Sequence, residues 1–259
     1  MIRRSPLAGR TILVTRPADR SARLLAELER RGAHVIVAPA IELRPVRSGA
    51  LTEALGELAR GAFDWVVLTS PATIRMLAER LDSPRDIRAS VAAIGDGTAA
   101  AFRRYARRDA DLVPRSFTTE ALARAFPHGS GRVLTPRADI APDGLEEALA
   151  AKGWKPLRVD AYRTLYARSL PREARVPLAC GEVDALTFTS ASTVRGFVGA
   201  IEVVKGNPKV VCIGPVTARE ARAHGLHVHA VADPHTTAGL VTRLERLFAP
   251  REASANRGG

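Results

Sequence analysis

Along the chain, apolar residues gather in short unbroken runs, and the stretches between them carry helical periodicity. Trp65-Val66-Val67-Leu68 contains no polar residue, the pattern of a strand covered on both faces. Polarity begins only at its carboxyl end, at Thr69-Ser70. Ser70 then precedes Pro71, an N-cap followed by a residue whose fixed φ suits the first helical position. In the first half "TILVT", "HVIVA", "WVVLT", "VAAIG" and "ADLV" read as strands; in the second, "RVLT", "PLRVDAY", "ALTFT", "KVVCIG" and "HVHAV" do. Between them, "RSARLLAELERRG" puts Leu24, Leu25 and Leu28 on one helix face, with Gly32 closing the end. Strands alternating with helices predict α/β domains with parallel, doubly wound sheets. Five strands in each half suggest a flavodoxin-like order.

The same pattern is stated twice. "DWVVLTSPATIR" (64 to 75) returns as "DALTFTSASTVR" (184 to 195), "VAAIGDGTA" (91 to 99) as "VVCIGPVTA" (210 to 218), and "FTTEAL" (117 to 122) as "HTTAGL" (235 to 240). "ILVTRPAD" (12 to 19) matches "RVLTPRAD" (132 to 139), pairing Thr15 with Thr135 and Asp19 with Asp139. The chain is a duplication, and 259 residues suit two domains of ordinary size. Ligands of doubly wound sheets bind beyond the carboxyl ends of the strands, so both Thr-Ser pairs, Thr69-Ser70 and Thr189-Ser190, stand where a binding site belongs. Two segments break the pattern. "IELRPV" (41 to 46) and "YRTLY" (162 to 166) extend their strands with more polar sequence and read as connections between domains. Whether each repeat folds contiguously or exchanges pieces with the other is open at this level. Residues 250–259 lack periodicity and are expected to be disordered.

Composition excludes several classes. An apolar fraction of 46% and a charged fraction of 25% are those of a globular protein. "MIRRSPLAGR" has no apolar stretch after its basic residues and no segment approaches a membrane span, so a cytoplasmic location is expected. Cys180 and Cys212 are too few for a disulfide framework or zinc cluster and read as buried thiols. The net charge of +12, from 39 basic and 27 acidic side chains, would steer a polyanion, although an arginine-rich proteome yields such a surface without any ligand. No helix-turn-helix or zinc-finger spacing is present and aromatics are 5%, which argues against nucleic acid. "GDGTAA" (95 to 100) imitates a dinucleotide fingerprint, but its repeat "GPVTAR" lacks the second glycine and the first strand-helix turn lacks the motif. His224, His227, His229 and His235 have no acidic or cysteine companion and read as solvated or hydrogen-bonded histidines leading into an edge strand, not as a metal site.

Taken in order over residues 9 to 248, "ILVTRP", "VVLTSPATIR", "VAAIGDGTA", "PRSFTTEAL", "DAYRT", "LTFTSASTVR" and "VVCIGPVTA" resemble the uroporphyrinogen-III synthase family. The resemblance implies an enzyme without cofactor that closes hydroxymethylbilane, a linear tetrapyrrole, into uroporphyrinogen III, with inversion of the last ring and loss of water. It also implies two discontinuous flavodoxin-like domains joined by a two-stranded linker: 1–39 with 167–249, and 46–158, with 40–45 and 159–166 as connecting strands. A monomer acting on a small-molecule polycarboxylate, without nucleic acid, membrane or metal, is expected. Two other classes compete, a two-domain binding protein closing on a small anion and a regulatory or redox module. The first usually works outside the cytoplasm, and the second needs a phosphate-cradling loop or acidic pocket that is not visible.

Tyr162 in "DAYRT" matches the family's tyrosine nearest the reacting ring, which implies a catalytic role; otherwise it is a connector aromatic packed between domains. Ser70 and Ser190 are expected as helix caps that also bind substrate beside Thr69 and Thr189. Thr98 and Thr217 occupy the next strand-to-helix turn, as caps or as exposed hydroxyls facing the ligand. Arg16 and Arg137 follow the first strand of each repeat and would bind substrate carboxylates or else be solvated loop charges. Val216 stands before Thr217 where the family usually has a second threonine, which removes one hydroxyl contact.

Overall fold

The computed structural model describes residues 5–250. The tail expected at 250–259 lies, from 251 on, outside the described residues. Contacts divide the chain into two compact units, Met1–Glu42 with Leu165–Gly259, and Leu43–Thr164. The chain runs β1 (Thr11–Val14), α1 (Ala22–Glu29), β2 (His34–Val37), β3 (Ile41–Pro45), α2 (Gly49–Ala59), β4 (Trp65–Leu68), α3 (Pro71–Ala78), β5 (Ser90–Ala93), α4 (Asp96–Ala106) and α5 (Thr119–Ala125). It continues β6 (Arg132–Ala138), α6 (Gly144–Ala150), β7 (Lys155–Tyr166), α7 (Arg172–Cys180), β8 (Ala185–Phe188), α8 (Ala191–Ala200), β9 (Lys209–Cys212), α9 (Pro215–Ala223), β10 (Val228–Val231) and α10 (Thr237–Phe248). The unit boundaries fall inside β3 and β7.

One sheet has the order β10-β9-β8-β1-β2 and the other β3-β7-β6-β4-β5. The pairings β1 with β2 and β8, β8 with β9, and β9 with β10 are parallel, as are β4 with β5 and β6, and β6 with β7. Through the sequence repeat, β6, β7, β4 and β5 are the counterparts of β1, β2, β8 and β9, and the counterparts follow one another in the same order in both sheets. The place of β10 is taken in the second sheet by a single parallel bridge between Ala92 and Leu112. The strand expected at "ADLV" thus shrinks to one residue pair. Asp111 spends its carboxylate on the Val91 N–H (2.7 Å), and Pro114 brings no N–H to continue a ladder.

The unbroken apolar runs have their reason in the packing. Val66 and Leu68 of β4 join one buried cluster with Leu51, Leu58 and Phe102, while Val67 between them joins another with Val133, Leu122 and Leu149. Likewise Leu13 of β1 packs with Phe188 and Phe197, and its neighbours Ile12 and Val14 with Leu24, Leu28 and Leu240. Both faces are covered, so these positions are apolar, and each fully buried Leu or Val contributes about 1.5–3 kcal/mol. Gly32 ends the α1 segment with φ +76°, as its position implies.

Cys212 is a buried thiol, and burial pushes it up to about 12. Cys180 is not; as the last residue of α7 it is exposed, while Ala174 and Leu178 form that helix's buried face. Among the described residues no helix is long and apolar enough to cross a membrane.

Candidate active site

In each unit the polar residues singled out from the sequence lie toward the carboxyl ends of adjacent parallel strands or in the helix turns that follow them. The first unit supplies Arg16, Thr189, Ser190 and Thr217 from β1, β8 and β9, and the second Thr69, Ser70, Thr98, Arg137 and Tyr162 from β4, β5, β6 and β7. Inside each set the ladder runs on past the strand ends in the same way. Ile94 N–H donates to Leu68 O (3.0 Å), and Ile213 N–H to Phe188 O (2.9 Å).

Ser70 and Ser190 are helix caps. Ser70 Oγ accepts from Ala72 N–H at 3.0 Å with Pro71 in the first turn, and Ser190 Oγ accepts from Thr193 N–H at 3.2 Å. Ser190 Oγ also lies 2.9 Å from Ser192 Oγ. Thr69 and Thr189 precede them, half-buried. Thr98 and Thr217 differ from expectation. Neither caps a helix and neither is exposed; each sits inside the first turn of α4 or α9, 4% exposed. The N-caps are Gly95 and Gly214, which have no side chain with which to satisfy the first amides of α4 and α9.

Arg16 follows β1 and is half-buried. Arg137 corrects the sequence reading: it lies within β6, not after it, and is 3% exposed rather than a solvated loop charge. Its Nη1 donates to Pro142 O (2.8 Å) and to Glu146 Oε2 (2.9 Å), so its charge is already answered inside the fold. Arg137 Nε and Glu146 Oε1 are buried without a hydrogen-bond partner among the described residues. Tyr162 is half-buried on β7, packed against the cluster that holds Val159, Ala161 and Leu134.

The histidines behave as hydrogen-bonded side chains. His227, just before the edge strand β10, and His229 within it stand ring to ring at 4.5 Å; His229 Nδ1 accepts from Val210 N–H, and its burial together with Lys209 and His227 lowers its pKa. His224 reaches Glu220, and His235 reaches Ala232 O.

Residues 22–242 match the family model described as uroporphyrinogen-III synthase HemD. The chain belongs to the uroporphyrinogen-III synthase family. Similar relatives include a uroporphyrinogen-III synthase of Synechococcus elongatus, 29% identical over 93% of this chain and 96% of that protein. A putative uroporphyrinogen-III synthase of Methanothermobacter thermautotrophicus is 35% identical over 82% of this chain and 89% of its own. Among solved structures, a uroporphyrinogen III synthase from Thermus thermophilus matches with a TM-score of 0.67 and 24% identity, over 92% of this chain and 98% of its own. The Helicobacter pylori enzyme matches at 0.61 and 17%, over 92% and 99%. These likenesses place the chain in the synthases' α/β fold. The recognition drawn from the seven ordered motifs is borne out.

For a synthase of this family, the glycine caps are what sequence reasoning missed. The signal was present, since Pro215 right after Gly214 is a first-turn residue and makes the glycine the cap.

Proposed function

We propose that this chain carries the activity for which its family is named, closing hydroxymethylbilane to uroporphyrinogen III with inversion of ring D and loss of water. The observation that carries this reading is the family match over residues 22–242. We read the two units as flavodoxin-like doubly wound domains, 1–39 with 167–249 and 46–158, joined through connecting strands at 40–45 and 159–166. The enzyme acts as a cytoplasmic monomer.

A linear tetrapyrrole polycarboxylate needs many donors, and helix starts supply them. α4 and α9 begin without a side-chain cap, which leaves amides and the positive end of the dipole for carboxylates. Thr69 and Ser70 in the second unit and Thr189 and Ser190 in the first add hydroxyls on the neighbouring turns, and in the first unit Arg16 follows β1, the strand paired with β8. Thr98 and Thr217 serve through the backbone of their turns more than through their buried side chains. Tyr162 donates its phenolic hydrogen to the departing hydroxyl, which leaves as water, and an azafulvene cation remains. The last ring attacks through its substituted position, and the spiro intermediate fragments and recloses inverted. The proton released as that ring regains aromaticity balances the one spent on the hydroxyl. The overall change is loss of water without net oxidation, so the reading invokes no redox cofactor. Holding the two ends of the substrate in this geometry is the larger part of the task.

The test is Tyr162→Phe assayed on freshly generated hydroxymethylbilane. Formation of the type III isomer should slow by about a hundredfold, the low end of what a positioned acid contributes, with the thermal unfolding midpoint unchanged. Type III formed at the wild-type rate would remove Tyr162 from the chemistry.

A further inference from the structure

β7 is where the two repeats differ most in strand length. Its counterpart β2 has 4 residues and breaks off before β3 (Ile41–Pro45), whereas β7 runs unbroken for 12, and Tyr162 lies in the part of β7 beyond the match to β2. The ladder to β6 is irregular just there: Arg137 faces Asp160 and Ala138 faces Tyr162, which leaves Ala161 as an extra residue. A bulge of this kind re-aims the side chain beside it. Beyond Ala138, β6 has no more strand with which to hold β7 in place.

Asp139 takes over. Its N–H donates to Tyr162 O at 3.1 Å, and its Oδ1 accepts from Thr164 N–H at 3.0 Å. One residue thus grips the main chain at Tyr162 and again two positions on. The same Oδ1 accepts from Ile140 N–H at 2.9 Å, which fixes the carboxylate against its own turn. On the other edge of β7, Val46 N–H donates to Ala161 O at 3.2 Å. Asp139 is itself held firmly. Arg158 Nη2 donates to its carbonyl at 3.3 Å while Nη1 pairs with Asp143, and Arg137 ties Pro142 O and Glu146 to β6. The repeat partner Asp19 does nothing comparable among the described residues: its side chain is 69% exposed and pairs with the adjacent Arg20 at 3.4 Å. Packing of the shared fold therefore does not demand an aspartate here, and what sets Asp139 apart is the extended strand carrying the tyrosine.

We infer that Asp139 is the positioning residue for Tyr162, acting as a main-chain clamp that sets the direction of β7 through the bulge and needs its acceptor oxygen, not its charge. This rests on the assignment of Tyr162 to the chemistry. Three variants separate oxygen from charge. Asp139→Ala should lower kcat about tenfold or more with KM little changed, since displacements of an ångström in a reacting group cost up to about a hundredfold. Asp139→Asn keeps an acceptor without charge and should recover most of that loss. Asp139→Glu keeps the charge but displaces the oxygen, and should resemble alanine. This Asn and Glu pair still decides the matter if the alanine variant does not fold. In the Tyr162→Phe background, Asp139→Ala should add no further loss of kcat. A full loss on top of Tyr162→Phe, or activity that follows charge with Glu above Asn, overturns the clamp while leaving the tyrosine in place. A wild-type rate for Tyr162→Phe alone removes the assignment beneath it.

Discussion

At the scale of single residues, Arg137 and Glu146 form a buried ion pair, with Nη1 2.9 Å from Oε2. Ser70 and Ser190 cap their helices because serine before a first turn competes well for its amides, a local property that one sequence discloses. Arg137 looked like its repeat neighbour Arg16, yet β6 runs through it to Ala138 and buries it against Glu146. Burial of a charged pair depends on a partner nine residues away and on the helix that carries it, which no local pattern encodes. Arg137→Met should therefore cost about 3–5 kcal/mol of unfolding free energy, because Glu146 is left buried and unanswered. Arg137→Met/Glu146→Leu should regain much of that, given the atoms the pair leaves unsatisfied. Denaturant unfolding checks both. Unchanged stability with a raised KM in the single variant would instead make Arg137 a substrate ligand.

At the scale of elements, strand positions were legible wherever both faces are covered, since an unbroken apolar run admits few other readings. The limits were less so. "ADLV" has strand composition but Leu112 alone of its residues forms a bridge, and β7 continues through polar residues because Asp139 takes over where β6 ends while β3 and the following Val46 lie along its other edge. Close approach between elements was invisible too. A Cβ at Gly196 of α8 would lie 2.0 Å from Ala40 O, the carbonyl that also accepts from Ala167 N–H. Backbone on the facing side cannot yield as a flexible side chain can. Gly196→Ala should consequently destabilise the first unit by at least about 1–3 kcal/mol, the usual range for overpacking, read as a lower thermal midpoint. An unchanged midpoint would mean that α8 can withdraw from residue 40 at no cost.

At the scale of the whole molecule, the duplication was the most legible feature and the most useful. It gave two sets of strand ends, and the structure orders the counterparts alike in both sheets. It also made departures from symmetry informative, of which the long β7 with its tyrosine is the largest. What one chain cannot disclose is which polar groups meet a ligand, because capping, burial and binding draw on the same residue types. Ring closure with inversion is the activity proposed for the whole protein. Its most direct test is the isomer composition formed by the wild-type protein from freshly generated hydroxymethylbilane. Predominantly type III isomer is expected, in proportion to enzyme added. Type I alone, at the spontaneous rate, would contradict it.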